Sequence, residues 1–223
     1  MSDQIGEHTF LFADLAGFTA LTEAMGDLDA ADLANLFHAE LSDLARGYAA
    51  QVIKPIGDAA MVRADDAALA IRFAIEVVHE IGGRHHFPAV RAGLHSGPAV
   101  ERDGDWFGST VNIAARISGE ASGGEVMLSE STRTAAGSLE GIELRERGQR
   151  ELRNLTEPIV LYEALREGAR TRAGLPIDPV CRMAVDPDHA AGRLRREGSD
   201  YHFCSLQCAA LFAATPSRYL TAR

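Results

Sequence analysis

Lysine is almost absent from this chain of 223 residues: 21 of its 22 basic residues are arginine, and the one lysine is Lys54. The basic residues form no run, and 32 acidic residues outnumber them, which gives a net charge of -10. Nucleic-acid binding needs clustered Lys and Arg to neutralise phosphates. We therefore expect no nucleic-acid partner.

Long apolar stretches are missing as well. No segment approaches the roughly 18 consecutive apolar residues of a membrane helix. The first residues, MSDQIGEHTF, lack the positive and apolar regions of a secretory signal. We therefore expect a cytoplasmic protein without a membrane partner. With 46% hydrophobic and 24% charged residues, the composition is that of a globular protein.

Cysteine is scarce, and Cys181, Cys204 and Cys208 all lie near the C-terminal end. Charge divides the chain at a similar place, because residues 1–165 carry 26 acidic and 13 basic side chains whereas residues 166–223 carry 6 and 9. Between the two parts, REGARTRAGLP has Gly, Arg and Pro without apolar periodicity. We predict two domains, 8–165 and 176–223, joined by a linker over 166–175.

The larger part reads as alternating strands and helices. TFLFAD predicts a buried strand, the apolar stripe from Leu33 to Leu44 a long amphipathic helix, and YAAQVIKPIGDAAMVRA a hairpin turning at Gly57-Asp58. A second helix is capped by Asp65-Asp66 and ends at Gly82-Gly83, and VRAGLHSGPAV, EVMLS and IVLYEA are later strands. The order βαββαβ predicts an α+β fold, a ferredoxin-like antiparallel sheet with helices on one face.

Two acids fall at one edge of that sheet. Asp14 ends the first strand and Asp58 lies in the hairpin turn, and these places are neighbours in a split βαβ unit. Two carboxylates that converge there could share divalent cations. Acids at such places are also ordinary solvated residues or helix caps, so the spacing leaves both readings open.

Four segments together resemble the catalytic domain of the class III adenylyl and guanylyl cyclases. They are FLFADLAGFTAL, IKPIGDAAM, RAGLHSGPAVERDGDWFGSTVNIAARI and GEVMLSEST, in the family's order and approximate spacing over residues 8–165. The resemblance implies an adenylyl cyclase that converts ATP to 3′,5′-cyclic AMP and pyrophosphate. It leaves open a guanylyl cyclase, or a catalytically silent scaffold that binds nucleotide or dimerises for a metal sensor.

The resemblance assigns metal and purine positions. Asp14, Asp58 and the carbonyl of Leu15 match the ligands of two Mg²⁺ or Mn²⁺ ions per active site. Lys54 and Asp105 match the pair that reads the purine. A lysine donor facing N1 and an aspartate acceptor facing the N6 amino group suit adenine, and guanine would leave both mismatched. We therefore expect ATP as the substrate.

The remaining positions concern ribose and phosphates. By resemblance, Asn112 orients the ribose and Arg116 meets the transition state. The backbone amides of Ala16 to Thr19, with Phe18 between them, lie at a helix N-terminus and are placed to cradle phosphate oxygens. Arg153 stands where the family usually has a lysine that touches the triphosphate. The family's site forms between two catalytic domains and this chain carries both halves once, which implies a head-to-tail homodimer with two shared sites.

The C-terminal part resembles the YHS domain, a small α/β metal-associated module, in DPVC, YHFCS and its spaced cysteines. It departs from that family at Arg182, where a glycine is usual. The odd cysteine count and the expected cytosolic setting disfavour disulfides. Three thiolates suit a thiophilic metal such as Cu(I) or Zn²⁺, with His202 or Asp178 as possible further ligands. The alternative is that the cysteines merely pack.

The sequence supports two further expectations. Tethering of the two parts suggests that metal or redox state at the C-terminal module modulates the cyclase. His95 and Trp106 match no role in the catalytic scheme, so we expect both to pack.

Overall fold

The structure, a computed structural model, describes residues 5–82, 88–169, 175–181 and 185–220. Eight strands of the described part form the main sheet. They are β1 (Ile5–Leu15), β2 (Ala50–Ile56), β3 (Ala59–Ala64), β4 (Val90–Arg102), β5 (Asp105–Phe107), β6 (Val126–Ser129), β7 (Ile142–Arg150) and β8 (Ile159–Arg166).

The strand order is β2-β3-β1-β4-β6-β8-β7, with the short β5 paired to β4. Its first four strands form the predicted ferredoxin-like sheet, and the later strands extend it beyond β4. Neighbouring strands are antiparallel except for β4 and β6, which are parallel. The α+β fold with a mostly antiparallel sheet is therefore confirmed.

One of the two predicted aspartate caps is present. The Asp66 side chain accepts from the Leu69 amide at 2.9 Å at the start of the second predicted helix, whereas Asp65 binds side chains instead. That helix continues as a π-helical turn, Val77–Ile81. The helices of this part are α1 (Phe18–Met25), α2 (Asp27–Ala45), α3 (Ala67–Glu76), α4 (Ser109–Glu120) and α5 (Glu130–Ala136).

The two faces of the sheet differ in what covers them. Successive strand residues point to opposite faces. On β1, Leu11 packs with Phe37 of α2 and Ile71 of α3 in the larger core. Phe10 and its neighbour Phe12 pack on the other face with residues of α4 and β5. The helices therefore lie on both faces, because α4 covers the side that a minimal ferredoxin-like unit leaves open.

Close packing fixes α4 on that second face. A Cβ atom at Gly93 of β4 would lie 2.0 Å from the backbone nitrogen of Ser118 on α4, a distance that no side chain can occupy. Glycine at this position therefore lets the helix backbone approach the sheet directly. This contact sets the height of α4 above the sheet.

The C-terminal module is small. Strands β9 (Gly192–Arg196) and β10 (Ser199–Phe203) form a hairpin, followed by α6 (Leu206–Ala214) and α7 (Pro216–Tyr219). Its core contains Val180, Phe203, Cys208, Phe212 and Tyr219.

Parts of three expectations lie outside the described residues. They are residues 170–174 of the predicted linker, together with Arg182 and Gly83. Within the described ranges, no helix is long and apolar enough to cross a membrane.

Candidate active site

The structure brings Asp14 and Asp58 together. Asp14 lies at the end of β1 opposite Ala59, and the Leu15 amide donates to the Asp58 carbonyl at 3.4 Å. Partial burial, and then the neighbouring Asp14 carboxylate, raise the pKa of Asp58 to about 6. A neighbouring carboxylate opposes the ionisation of Asp58, and a bound cation would offset that repulsion.

Sequence reasoning missed Arg91, the arginine that faces Asp14 across the sheet. Its Nε donates to Asp14 Oδ2 at 2.7 Å, Nη2 contacts the same oxygen, and Nη1 reaches the Ala121 carbonyl at 3.5 Å. Arg91 is the direct register partner of Asp14 on β4. The signal was available, because antiparallel pairing of the two motif strands places an arginine opposite the acid.

Lys54 and Asp105 form an ion pair between β2 and β5. The other Asp105 oxygen accepts from the Trp106 amide at 2.8 Å. The hydrogen bond from Lys54 holds the pKa of Asp105 below its usual range. Both side chains remain partly exposed, 41% for Lys54 and 29% for Asp105, so donor and acceptor can be reached by a ligand.

Asn112 and Arg116 lie one turn apart on α4 and share a face. The opposite face carries Val111, Ala114 and Ile117, which are buried against the sheet. Asn112 is exposed and Arg116 half-buried. Among the described residues neither side chain has a hydrogen-bond partner, so both are available to a ligand.

The phosphate-binding expectation changes in one detail. The Ala16 amide already donates to the Ala89 carbonyl at 2.7 Å. Gly17 then turns the chain at φ 74° into α1, where the amides of Phe18 and Thr19 bond to no backbone carbonyl of the described residues. The amides open to an anion therefore begin after Ala16.

Arg153 lies in the turn between β7 and β8 and is exposed. The next residue, Asn154, adopts φ 60°, a left-handed conformation that asparagine tolerates better than most residues. No side chain of the described residues pairs with Arg153.

The two expected packing residues are packed. His95 bonds through Nδ1 to Ser129 Oγ at 2.7 Å, and burial lowers the pKa of its ring to about 4. Trp106 is 6% exposed.

The three cysteines of the C-terminal module meet. Cys181 Sγ lies 3.3 Å from Cys204 Sγ, which lies 3.8 Å from Cys208 Sγ. A carboxylate oxygen of Asp178 completes a group whose atoms all lie within 4.8 Å of one another. His202, the other ligand candidate, is not among them.

Asp178 has a second role in this cluster. It is fully buried, and it accepts from the amides of Val180 at 2.8 Å, Cys181 at 3.4 Å and Cys204 at 2.9 Å. The carboxylate thereby joins the two chain segments that carry Cys181 and Cys204.

Hydrogen bonds from the Cys181 and Cys204 thiols hold the pKa of Cys208 well below its usual range, so Cys208 is the thiol most ready to bind a metal as thiolate.

Comparison with known families supports both domains. Residues 1–163 match the family model described as adenylate and guanylate cyclase catalytic domain, and residues 177–223 match the YHS domain. A pH-sensitive adenylate cyclase of Mycobacterium tuberculosis is 38% identical over 172 residues, which cover 74% of this chain and 42% of that protein. An adenylate cyclase of Streptomyces griseus is 37% identical over 48% of this chain and 27% of its own length.

Solved structures show the same fold. An adenylate/guanylate cyclase/hydrolase from Silicibacter pomeroyi aligns with a TM-score of 0.66 and 26% identity, covering 74% of this chain and all of that one. The adenylyl cyclase CyaB from P. aeruginosa aligns with a TM-score of 0.65 and 23% identity, covering 76% of this chain and 98% of that one. The chain spans less than half the length of the two curated relatives.

Proposed function

The chain belongs to the family of adenylate and guanylate cyclase catalytic domains, and we propose that it is an adenylyl cyclase that converts ATP to 3′,5′-cyclic AMP and pyrophosphate. The observation that carries this proposal is that the Lys54–Asp105 ion pair and the Asp14–Asp58 carboxylate pair occur in one domain. A purine reader and a cation-binding carboxylate pair supply the two recognitions that cyclisation of a nucleoside triphosphate needs.

The residues at the sheet edge fit the divalent cations of the family. Asp14, Asp58 and the Leu15 carbonyl are hard oxygen donors of the kind that Mg²⁺ and Mn²⁺ prefer. Asp14 already binds a cationic group, the Arg91 guanidinium. Two such ions, when bound, lower the pKa of the ribose 3′-hydroxyl and offset charge on the phosphates.

Lys54 and Asp105 select the base. The ammonium of Lys54 donates to N1 of adenine, and the Asp105 carboxylate accepts from the N6 amino group. Guanine presents a proton at N1 and a carbonyl at position 6, so it leaves both groups mismatched. Before ATP binds, the two residues satisfy each other, so the base must replace part of their ion pair.

Polar and positively charged groups bind the ribose and the triphosphate. Asn112 orients the ribose so that its 3′-oxygen attacks the α-phosphorus in line with the leaving pyrophosphate. Arg116 presents a planar donor fork to the charge that develops on the α-phosphoryl group. Arg153 contacts the outer phosphates, and the free amides of Phe18 and Thr19 donate hydrogen bonds to phosphate oxygens.

Each active site takes residues from two chains. Lys54 and Asp58 are on one hairpin, and no hydrogen bond or ion pair of the described residues joins the Lys54–Asp105 pair to the Asp14–Asp58 group. The apolar side chains of Phe107 and Ile56 are 52% and 45% exposed beside the purine-reading pair. A second copy that brings its own aspartates would cover them, in a head-to-tail homodimer with two equivalent sites.

Purified protein with Mn-ATP provides the direct test. We expect cyclic AMP and pyrophosphate in equal amounts, with Mn-GTP a poorer substrate. A protein that binds nucleotide but forms neither cyclic nucleotide would contradict the proposal and favour a silent scaffold.

Mixing two inactive variants tests the shared site. Asp14→Ala removes a metal ligand from one half-site, and Arg116→Ala removes the transition-state arginine from the other. A heterodimer of the two keeps one intact site, so the mixture should recover up to about a quarter of wild-type activity at random assortment. Recovery of none would contradict the two-chain site.

The C-terminal module fits a soft metal ion. Two sulfurs bound to one Zn²⁺ at about 2.3 Å in tetrahedral geometry lie roughly 3.8 Å apart, close to the separations between these thiols. Cys181, Cys204 and Cys208 would hold Cu(I) or Zn²⁺, and metal loading would modulate the cyclase through the tether. Cyclase rates of the full chain and of a triple Cys→Ser variant, with and without Zn²⁺, should differ; identical rates would contradict the coupling.

A further inference from the structure

Trp106, the chain's one tryptophan, directly follows the purine-reading Asp105. Strand β5 has only three residues, each paired to β4 alone, and it begins after the turn residues Asp103 and Gly104 with positive φ. So short a hairpin strand holds Asp105 weakly by itself. The buried indole beside it therefore anchors the strand.

Three side chains surround the indole. The His8 ring meets it edge-on at 4.5 Å between centroids, and the Phe10 ring lies at 5.7 Å. The Arg63 guanidinium carbon lies 4.9 Å from the ring centre, within range of a cation–π contact. These residues come from β1 and β3, so the indole fastens β5 across two other strands.

Asp65 ties two of these side chains together. Its Oδ1 lies 2.7 Å from His8 Nδ1, and both carboxylate oxygens accept from Arg63 Nη2. Partial burial opposes ionisation, but the bonds from His8 and Arg63 still hold the pKa of Asp65 below its usual range. A carboxylate that stays charged at neutral pH thus orients the imidazole and the guanidinium against the same ring system.

We propose that Asp65, His8 and Arg63 form a clamp on Trp106 that positions Asp105 to read the adenine base. The Trp106 amide completes the path, because it donates to Asp105 Oδ1 while Lys54 binds Oδ2. Asp65 is a positioning residue that touches no substrate. The inference rests on the proposed function and deepens it by adding a determinant of base selectivity outside the Lys54–Asp105 pair.

The test uses the full chain, with Trp106 as its own probe. Asp65→Asn removes the charge that holds His8 and Arg63, and at 69% exposure of the side chain the change leaves the core intact. Asp66→Asn is the matched control, with the same charge change one residue away, because asparagine also caps α3. Arg63→Lys keeps the charge but loses the planar fork over the indole. Equal melting temperatures establish that all three variants fold.

Two measurements decide the outcome. Acrylamide quenching of Trp106 fluorescence should rise at least about twofold in Asp65→Asn and Arg63→Lys but not in Asp66→Asn. The ratio of GTP to ATP dissociation constants, from titration of the same fluorescence, should fall about tenfold, the factor for one weakened charge-assisted hydrogen bond. Unchanged quenching would overturn the clamp, and looser Trp106 with an unchanged ratio would overturn its link to base reading. Absent turnover with selective binding intact would count against the proposed function alone.

Discussion

The nucleotide site and the cysteine cluster are built in opposite ways. The first gathers residues from β1, β2, the β2–β3 turn, β4, β5 and α4, and it leaves Asn112 exposed, with no side-chain partner among the residues that the structure describes. The second lies between residues 178 and 208, with four ligand atoms within 4.8 Å of one another. One site is open and, in the proposed homodimer, is completed by a second chain, whereas the candidate ligand atoms of the other come from one short part of the chain.

This difference separates what each site needs from the rest of the molecule. In the proposed homodimer the nucleotide site depends on strand register and on a second copy, so distant changes in the sheet should reach it. The cysteine cluster depends on Asp178 and on local turns, so changes in the cyclase domain should leave its metal affinity unaltered. Coupling between the two, if metal modulates turnover, has two routes: the tether, and the ion pair at 4.0 Å between Arg218 of α7 and Glu23 of α1.

Asp14→Asn should have the largest effect. An amide cannot supply the charge that two divalent cations need, so we expect kcat to fall at least about 1,000-fold. The cysteine cluster should bind Zn²⁺ as in the wild type. Asp43→Asn, on the surface of α2, is the control and should keep full activity. A drop in Zn²⁺ affinity with Asp14→Asn would break the proposed independence of the sites.

Gly93→Ala tests whether a change in the sheet affects the nucleotide site through α4. Its Cβ would meet the Ser118 backbone, so α4 must shift together with Asn112 and Arg116. We expect a loss of about 3 kcal/mol in unfolding free energy and about 100-fold in kcat. Gly119→Ala on the same helix meets nothing within 4 Å and should be neutral or stabilising. Equal behaviour of the two variants in thermal melts and turnover would contradict the close-packing argument.

Most of the secondary structure was predictable from the periodic spacing of apolar residues in the sequence. The stripe Ile71, Ala74, Ile75, Val78 and Ile81 is buried throughout, because period and capping agree along that helix. The second-face position of α4 was not predictable from period alone. It depends on Gly93, and a glycine in a strand carries no sign of which backbone will approach it.

The site residues divide in the same way, into those that the sequence predicted and those that only the folded structure reveals. The Asp14–Asp58 and Lys54–Asp105 meetings follow from topology and motif, since both members of each pair lie in recognisable segments. Arg63, His8 and Asp65 belong to no motif, and their convergence on Trp106 depends on strand register and on rotamers. From the sequence, Asp178 was predicted as a candidate metal ligand. Its three hydrogen bonds to backbone amides are visible only in the folded structure.

Asp178→Asn tests whether the closed cluster is held from within. An asparagine keeps one acceptor oxygen but replaces the other with a donor that faces the Cys181 or Cys204 amide. We expect affinity for Zn²⁺ or Cu(I) to fall about 30-fold in a chelator competition, as for loss of an orienting partner of a metal ligand. Asp200→Asn, exposed on β10, should change nothing. Equal affinities in the two variants would remove Asp178 from the site.

Lys54→Arg changes one of the two residues that are proposed to recognise the base in the nucleotide site. This exchange keeps the charge and introduces arginine, the residue that occupies every other basic position of the chain. A planar fork cannot direct one compact donor at a single ring nitrogen while also meeting Asp105. We expect kcat/KM for ATP to fall about tenfold, with a smaller change for GTP. Equal losses for ATP and GTP would indicate a structural rather than a base-reading role.

Arg153→Lys should have the smallest effect, and its size measures how open the nucleotide site is. Arg153 is exposed in a turn with no partner among the described residues, so the exchange disturbs no packing. A lysine meets outer phosphates as a point charge, and we expect KM for ATP to stay within about twofold of wild type. Arg153→Ala should raise KM about tenfold with kcat little changed, because the lost contact exists before and during reaction alike. A large fall in kcat for Arg153→Lys would instead mean that the fork makes a two-point contact in the transition state, and this edge of the site would then be as closely specified as the cysteine cluster.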